Sequence, residues 1–406
     1  MSSPSRASSE SSIGTVPLAD ATAEQLEVYV NKILESRLRK RKSHDLDADE
    51  ESDGETVALQ YADYGRAFAR LGEPFTTVFT IVDHGLHLEA RKAESDGDDW
   101  DSDATLETED EQRLTQDWTI LCKLIPGFQH DMIVLAEKRK IRKVISNEIT
   151  SGAEHARADD SSGLKGAILG YLHLDITLPL DPPIPVQDVH KSLRGWNHPA
   201  TATLLTPIEW EANPTVWTDI LAGRRQVTAE QMPRLLYPEG HVFNPENIEG
   251  GLFRGHVLVR SAKHLYQGPS SALQGPGYKK GRAGIAKLIG MTKMTPHALA
   301  YVIVQARFSI SDAQEWHVID RDFDYRTFFW NVVDALETDE GKATLAFFDH
   351  EVFGKTESIT PTVPAGPSAF SKLKRQRAAK RARIADQDTT DSATDETVGL
   401  AVAGSQ

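Results

Sequence analysis

Between residues 57 and 353 apolar side chains return at intervals of three and four, and no run alternates polar and apolar around a hairpin turn. That periodicity restricts the chain to helical architectures. VIVQARFSI, residues 302–310, passes for a strand on composition, but Thr295-Pro296 ahead of it supplies an N-cap and a proline at the first helical position. The spacing predicts an αα-hairpin from helices over 57–71 and 74–87, then helices over 118–124 and 132–149 broken at Pro126-Gly127. A helix over 163–174 is introduced by Asp159, Asp160 and Ser161 as caps, and short helices fall at 207–211, at 216–222 and after Thr228. Further helices cover 253–267, 325–336 and 338–353. The proline-rich stretch 179–199 reads as irregular, and a small sheet has room between 176 and 250.

Composition divides the chain. Seven carboxylates lie between Asp45 and Glu55 and ten between residues 94 and 112, and both ends are polar, leaving roughly 280 residues to bury a core. The expected fold class is all-α, a single irregular multi-helix globular domain with disordered acidic and basic flanks. Its parts are a disordered region 1–55, a helical hairpin 56–92 packed on the main domain, a disordered acidic insertion 93–112, the main domain 113–357 and a disordered tail 358–406. Within the first part, Thr22-Ala-Glu-Gln25 is a capping box ahead of Leu26, Val30, Ile33 and Leu34, so an amphipathic helix is expected near 22–42. Such a helix docks on the main domain or serves as a partner or dimerisation element.

Cys122 is the single cysteine, which excludes an intramolecular disulfide and a cysteine-built zinc site and fits a reducing compartment. Met1–Ser12 has no apolar core of the secretory kind, and no run of about 18 apolar residues occurs. The expectation is an intracellular protein without a membrane span.

The charge distribution points to a partner class. The chain carries a formal charge of −15 and 60 carboxylates, yet residues 251–310 contain none. That window holds nine cations: Arg254, Arg260, Lys263, Lys279, Lys280, Arg282, Lys287, Lys293 and Arg307. Lys279-Lys280-Gly-Arg282 sits in a glycine-rich loop, where backbone N–H groups and cationic side chains converge readily on phosphates. Arg254, Arg260 and Lys263 precede it and extend the same candidate face. Three readings stand side by side: the cations meet the chain's own acidic segments or water, they meet nucleic acid or another polyanion, or they hold a small phosphorylated ligand.

Catalytic signatures do not survive inspection. Gly-Pro-Gly-Tyr-Lys-Lys-Gly, 275–281, lacks the Lys-Ser/Thr ending of a phosphate-binding loop; Gly354-Lys355-Thr356 has that ending, but Asp349 stands where the motif's first glycine belongs. Gly163, Gly166 and Gly170 miss the dinucleotide spacing and read as close helix packing. His84 and His87, or His317 with Asp320, Asp322 and Asp324, match no metal motif, and Asp322 or Asp324 reads as the cap of a helix starting near Tyr325. Cys122 lies among Ile120, Leu121 and Leu124 as a buried structural thiol. No cofactor, metal or catalytic residue is assigned. An enzyme acting on a phosphorylated substrate would need His264 or His317 to meet the cations and Asp320–Asp324 in one pocket. Two basic runs have the composition of nuclear import signals, one containing Arg39, Lys40, Arg41 and Lys42, the other Lys374, Arg375, Lys380 and Arg381.

The pieces GLFRGHVLVRSAKHLYQGPSSAL (251–273), IGMTKMTPHALAYVIVQARFSIS (289–311) and FDYRTFFWNVVDALE (323–337) resemble an uncharacterised domain family of mushroom-forming basidiomycete fungi. LIPGF (124–128), GLKGAIL (163–169) and LRGWNHPATATLL (193–205) extend the resemblance to roughly 115–354. It implies a fungal origin and one recurring module, and it carries no activity or site residue. The functional expectation is therefore a non-enzymatic protein, nuclear more than cytoplasmic. Its polyanion face would be Arg254, Arg260, Lys263, Lys279, Lys280 and Arg282, with nucleic acid first among partners. A protein–protein interaction module built on helix 22–42 is the alternative.

Overall fold

The structure is a computed structural model that describes residues 55–94, 108–185, 190–278 and 284–354, with side chains from Tyr61 onward. Twelve α-helices and one two-stranded ribbon make up its regular structure among the described residues, so the fold is all-α. The amphipathic helix expected near 22–42, most of the acidic insertion and the tail lie outside the described residues.

Five helices enclose a first core. They are α1 (Glu55–Leu71), α2 (Val78–Glu94), α3 (Glu109–Leu124), α4 (Phe128–Val134) and α5 (Arg139–Ala167). Val78, Ile81, Val82 and Leu88 of α2 repeat at helical spacing and are buried against Trp118, Leu121, Phe128 and Met132. α3 begins earlier than the sequence suggests: Thr108 and Glu111 form a capping box, and Glu109, Asp110 and Glu111 occupy its first turn. Carboxylates that read as an insertion are favourable there, because a helix N-terminus carries partial positive charge.

α5 corrects a second expectation. It is one helix of 29 residues that runs through Asp159–Ser161 instead of restarting there. Asp160 is not a cap but half of a buried pair: Arg70 of α1 donates two 2.8 Å bonds to its carboxylate, and the Tyr301 hydroxyl adds one of 2.7 Å. α1 and α5 also touch backbone to backbone. A Cβ on Gly65 would stand 2.0 Å from the Ile149 carbonyl oxygen, and one on Gly152 would stand 2.0 Å from that of Ala62. Gly166 and Gly170, read as packing glycines, have nothing within 4 Å of an added Cβ.

The second, larger core surrounds α10. The remaining helices are α6 (Pro199–Leu205), α7 (Pro214–Leu221), α8 (His256–Gln267), α9 (Ile285–Leu288), α10 (Pro296–Ile310), α11 (Tyr325–Leu336) and α12 (Asp339–Phe348). Thr295 caps α10 as its sequence predicts, and every residue from His297 to Ile310 is buried. A helix apolar on all sides must be enclosed on all sides. α1, α5, α6, α8 and α11 pack against it.

Other expectations shift locally. Residues 207–211 and those after Thr228 form no α-helix; Pro207 bridges Pro233, and the Thr228 N–H donates to Gln231 Oε1 at 2.9 Å with only a 3-10 turn at Arg234–Leu236 following. The ribbon, β1 (Ile319–Asp320) with β2 (Phe323–Asp324), lies after α10 rather than between 176 and 250. Asp324 caps α11, accepting from the Arg326 and Thr327 N–H groups. A π turn at Asp349–Phe353 follows α12.

Candidate functional site

Four cations of the carboxylate-free window point into the fold. Lys263 of α8 is 4% exposed, and its Nζ donates to Glu351 Oε2 at 2.7 Å and to the Gln274 carbonyl at 3.1 Å. Arg260, one turn earlier, donates to the carbonyls of Tyr171, His173 and Leu174, satisfying groups left open where the α5 rod ends. Burial lowers its pKa, with Glu239 opposing. The Arg254 guanidinium lies 4.3 Å from the Phe347 ring centre and donates to the Ala343 carbonyl at 3.2 Å. Arg307 of α10 is buried beside the Tyr325 hydroxyl (2.7 Å), Asp320 (3.8 Å) and the Phe323 ring (3.2 Å). The carboxylates that serve these cations thus come from outside the window, as Glu351 and Asp320, and backbone carbonyls do the rest. A stretch empty of carboxylates in the chain is not empty of them in space.

The other five cations fall within residues 279–293. Lys279, Lys280 and Arg282 lie outside the described residues, while Lys287 and Lys293 are exposed. Both ends of the segment are fastened to the π turn. On one side the Gly277 N–H donates to the Glu351 carbonyl at 3.1 Å, and Gly277 packs so tightly on Gly354 that a Cβ would stand 2.5 Å from its Cα. On the other, the Met294 N–H donates to Asp349 Oδ1 at 2.6 Å. The residues that flank the segment are therefore both bonded to one turn, as is Lys263, while Gly284 and Ala286 within it pack against the fold beside Tyr266 and Gln267. The import candidates Arg39, Lys40, Arg41, Lys42, Lys374, Arg375, Lys380 and Arg381 lie outside the described residues.

The histidines do not assemble. His264 is buried with Nδ1 2.9 Å from the Tyr171 hydroxyl, and burial lowers its pKa. His317 is exposed beside Glu315 at 3.5 Å and shares a depression of about 320 Å³ with Asp320 and Arg321. His84 Nε2 lies 2.8 Å from Thr115 Oγ1, joining α2 to α3. Cys122 is partly buried, and its thiol pKa is pushed up to about 12, chiefly by burial.

Two further cavities have chemical character. The first, about 510 Å³, is walled by apolar residues with His173, His241, His256 and Glu239 at its polar side. Those groups are engaged: His256 Nε2 lies 2.9 Å from the Leu172 carbonyl, His241 stacks on Tyr237 at 4.8 Å, and Glu239 accepts the Leu174 N–H at 2.8 Å. The second, about 270 Å³, has Phe308 and Trp316 as aromatic walls and Arg157, Lys165 and Lys191 on its rim. Lys191 carries no motif in the sequence, where it stands as a lone lysine in a proline-rich stretch; only the fold reveals that its side chain is enclosed.

The described fold defines an all-α domain built on a wholly buried central helix, with the residues that flank the basic segment bonded to the Asp349–Phe353 turn. A family of unknown function, DUF6698, matches residues 151–353, and the chain belongs to that family. The match begins inside α5, so LIPGF at 124–128 lies outside it, although α1 packs along α5 on both sides of that boundary. No curated protein and no solved structure matches the chain. Among the described residues no helix is long and apolar enough to cross a membrane.

Proposed function

We propose that this protein is a non-enzymatic polyanion-binding module, with nucleic acid as the first ligand to test, and that residues 279–293 make the contact. The observation carrying this reading is the pinning of both ends of a five-cation, carboxylate-free segment to the turn at Asp349–Gly354. Arg254, Arg260 and Lys263, whose donors are engaged inside the fold, serve in this reading as supports of the segment rather than as phosphate contacts. Binding proceeds by phosphate neutralisation and release of condensed counterions, with little reading of bases. The chain's net charge of −15 opposes it, so the acidic stretches at 45–55 and 94–112 compete with the ligand for the segment. Nuclear residence and the fungal origin implied by the resemblance belong to this same reading.

The test compares the full chain with a variant carrying Ala at Lys279, Lys280, Arg282, Lys287 and Lys293, using fluorescence anisotropy of labelled single-stranded DNA, duplex DNA and RNA at low salt. The reading expects binding by the parent chain and a loss of at least tenfold in the variant. Equal binding by both chains, or none by either, overturns it.

A further inference from the structure

Two stretches of the chain, 172–190 and 235–253, contain no Lys or Arg. They are the converse of the carboxylate-free window, and the fold brings them together: Glu239 accepts the Leu174 N–H at 2.8 Å, and both stretches line the 510 Å³ cavity. Several of their aliphatic side chains are displayed rather than buried. Leu174, Ile176 and Leu178 are 62%, 55% and 55% exposed, and Val242 is 81% exposed. Local bonds hold the first three in place, since Asp175 Oδ1 accepts the Thr177 N–H at 2.9 Å and the Asp175 carbonyl accepts the Leu178 N–H at 3.2 Å. Leu174, Leu178 and Val242 each adjoin a residue of the cavity wall, namely His173, Pro179 and His241.

Single aliphatics at a surface are ordinary, but four of them beside one apolar cavity mark a contact site. The charge around them has one sign. Asp175, Asp181, Glu239, Glu246 and Glu249 are exposed within the two stretches. Arg234, which lines the cavity, and Arg260, which bonds to its wall, give donors to the carbonyls of Ile208 and Trp210 and of Tyr171, His173 and Leu174. An occupant therefore needs an apolar stripe and a cationic end. The chain itself carries such a segment: the helix that the sequence predicts over 22–42 has Leu26, Val30, Ile33 and Leu34 on one face and ends in Arg37, Arg39, Lys40, Arg41 and Lys42. Its reach decides which copy supplies it. α1 runs parallel to α5, since Gly65 meets Ile149 and Arg70 meets Asp160, so α1 starts at the end of α5 opposite the cavity. The 29 residues of α5 measure about 43 Å at 1.5 Å each. Residues 43–54, which join the segment to α1, stretch to about 40 Å at most. Docking within one chain would draw that linker out fully, whereas a second copy meets no such limit.

We propose that this cavity and its aliphatic rim receive segment 22–42 of a second copy of the chain, with the apolar face on 174–178 and Val242 and the basic end beside Asp181, Glu239 and the neighbouring carboxylates. Exchange in both directions gives a twofold dimer with two identical contacts. The segment gains the enclosed apolar face that a helix of its length lacks when alone. Its cations and the acidic rim orient the approach, so association weakens with salt while the apolar contact remains. The contact does not involve residues 279–293.

The experiment places the photoreactive residue p-benzoylphenylalanine at Val242 of the full chain, an exposed position whose replacement leaves the two cores alone. Isotopically heavy and ordinary copies are mixed and irradiated, and the adducts are located by peptide mass mapping. Adducts are expected on peptides from 22–42, joining heavy to ordinary chains. Adducts confined to one chain overturn the second copy as donor; adducts on 279–293 or on the basic tail, or none at all, overturn the segment as occupant. Sedimentation equilibrium supplies a readout without the photoreactive residue. The parent chain is expected to dimerise, and Val30→Asp/Ile33→Asp or Val242→Asp is each expected to raise the dimer dissociation constant at least tenfold. A monomeric parent, or a dimer indifferent to both changes, overturns the proposal.

Discussion

Lys263 Nζ lies 2.7 Å from Glu351 Oε2, joining the carboxylate-free window to the turn that fastens the basic segment. The two side chains are 5% and 18% exposed, so neither charge is fully served by water. Glu351→Gln leaves a buried ammonium without its counter-charge and is expected to cost about 3 kcal/mol. Lys263→Met should cost less, since Glu351 keeps more access to solvent, and the double variant should recover most of the loss. Urea unfolding of the four chains checks this; strictly additive losses would contradict a coupled pair.

The contact of α1 with α5 gives a sharper contrast. Gly152→Ala would push a methyl group to 2.0 Å from the Ala62 carbonyl oxygen, and the helices must separate to admit it. The expected loss is about 3 kcal/mol or more. Gly166→Ala lies on the same helix, exposed and with open space around it, and should be neutral or raise stability by about 0.5 kcal/mol. Thermal melts of both variants distinguish backbone packing from helix propensity.

Asp117 provides a pH test. It is fully buried, Oδ1 accepts the Glu73 N–H at 3.0 Å, and Oδ2 has no hydrogen-bond partner. Burial, reinforced by the neighbouring Glu73 carboxylate, raises its pKa well above the ordinary carboxylate range, against the Glu73 N–H and Arg326. The folded state therefore binds the proton more tightly than the unfolded chain. The stability it contributes is present below about pH 4, the ordinary value, and is lost as pH rises through the raised folded value. Asp117→Asn keeps an oxygen acceptor and does not titrate. Its stability relative to the parent should climb with pH across that window and level off above it; parallel profiles in urea unfolding would contradict the burial argument.

Arg70 and Asp160 define a fourth test. Arg70→Met strands a carboxylate that then keeps only the Tyr301 hydroxyl, and a loss of about 3–5 kcal/mol is expected in urea unfolding. A loss below about 1 kcal/mol, the range of an exposed pair, would contradict the buried geometry.

Local signals in the sequence were readable where chemistry between near neighbours decides the structure. Thr295-Pro296 opens α10, Asp324 caps α11, and Pro126-Gly127 separates α3 from α4 because each depends on residues within a turn. What escaped the linear reading depends on partners far along the chain. Asp160 resembles a cap until Arg70, 90 residues away, is seen against it. Gly65 and Gly152 carry no pattern that marks a backbone contact, whereas Gly166 and Gly170 invite that reading and have open space around them. The window of cations looked like a surface because Glu351 and Asp320 lie outside it in sequence and inside it in space. Lys191 was invisible for the same reason: burial is a property of the assembled fold.

The salt dependence of nucleic-acid binding by the full chain, compared with Lys287→Ala/Lys293→Ala, decides whether residues 279–293 touch phosphates. Both side chains are exposed, so the substitutions leave the two cores alone. Binding by the parent should weaken linearly in log–log form, and removing two phosphate contacts should flatten the slope by about 2 for duplex DNA. A parent slope near zero, or a slope unchanged in the variant, would contradict a contact made by residues 279–293.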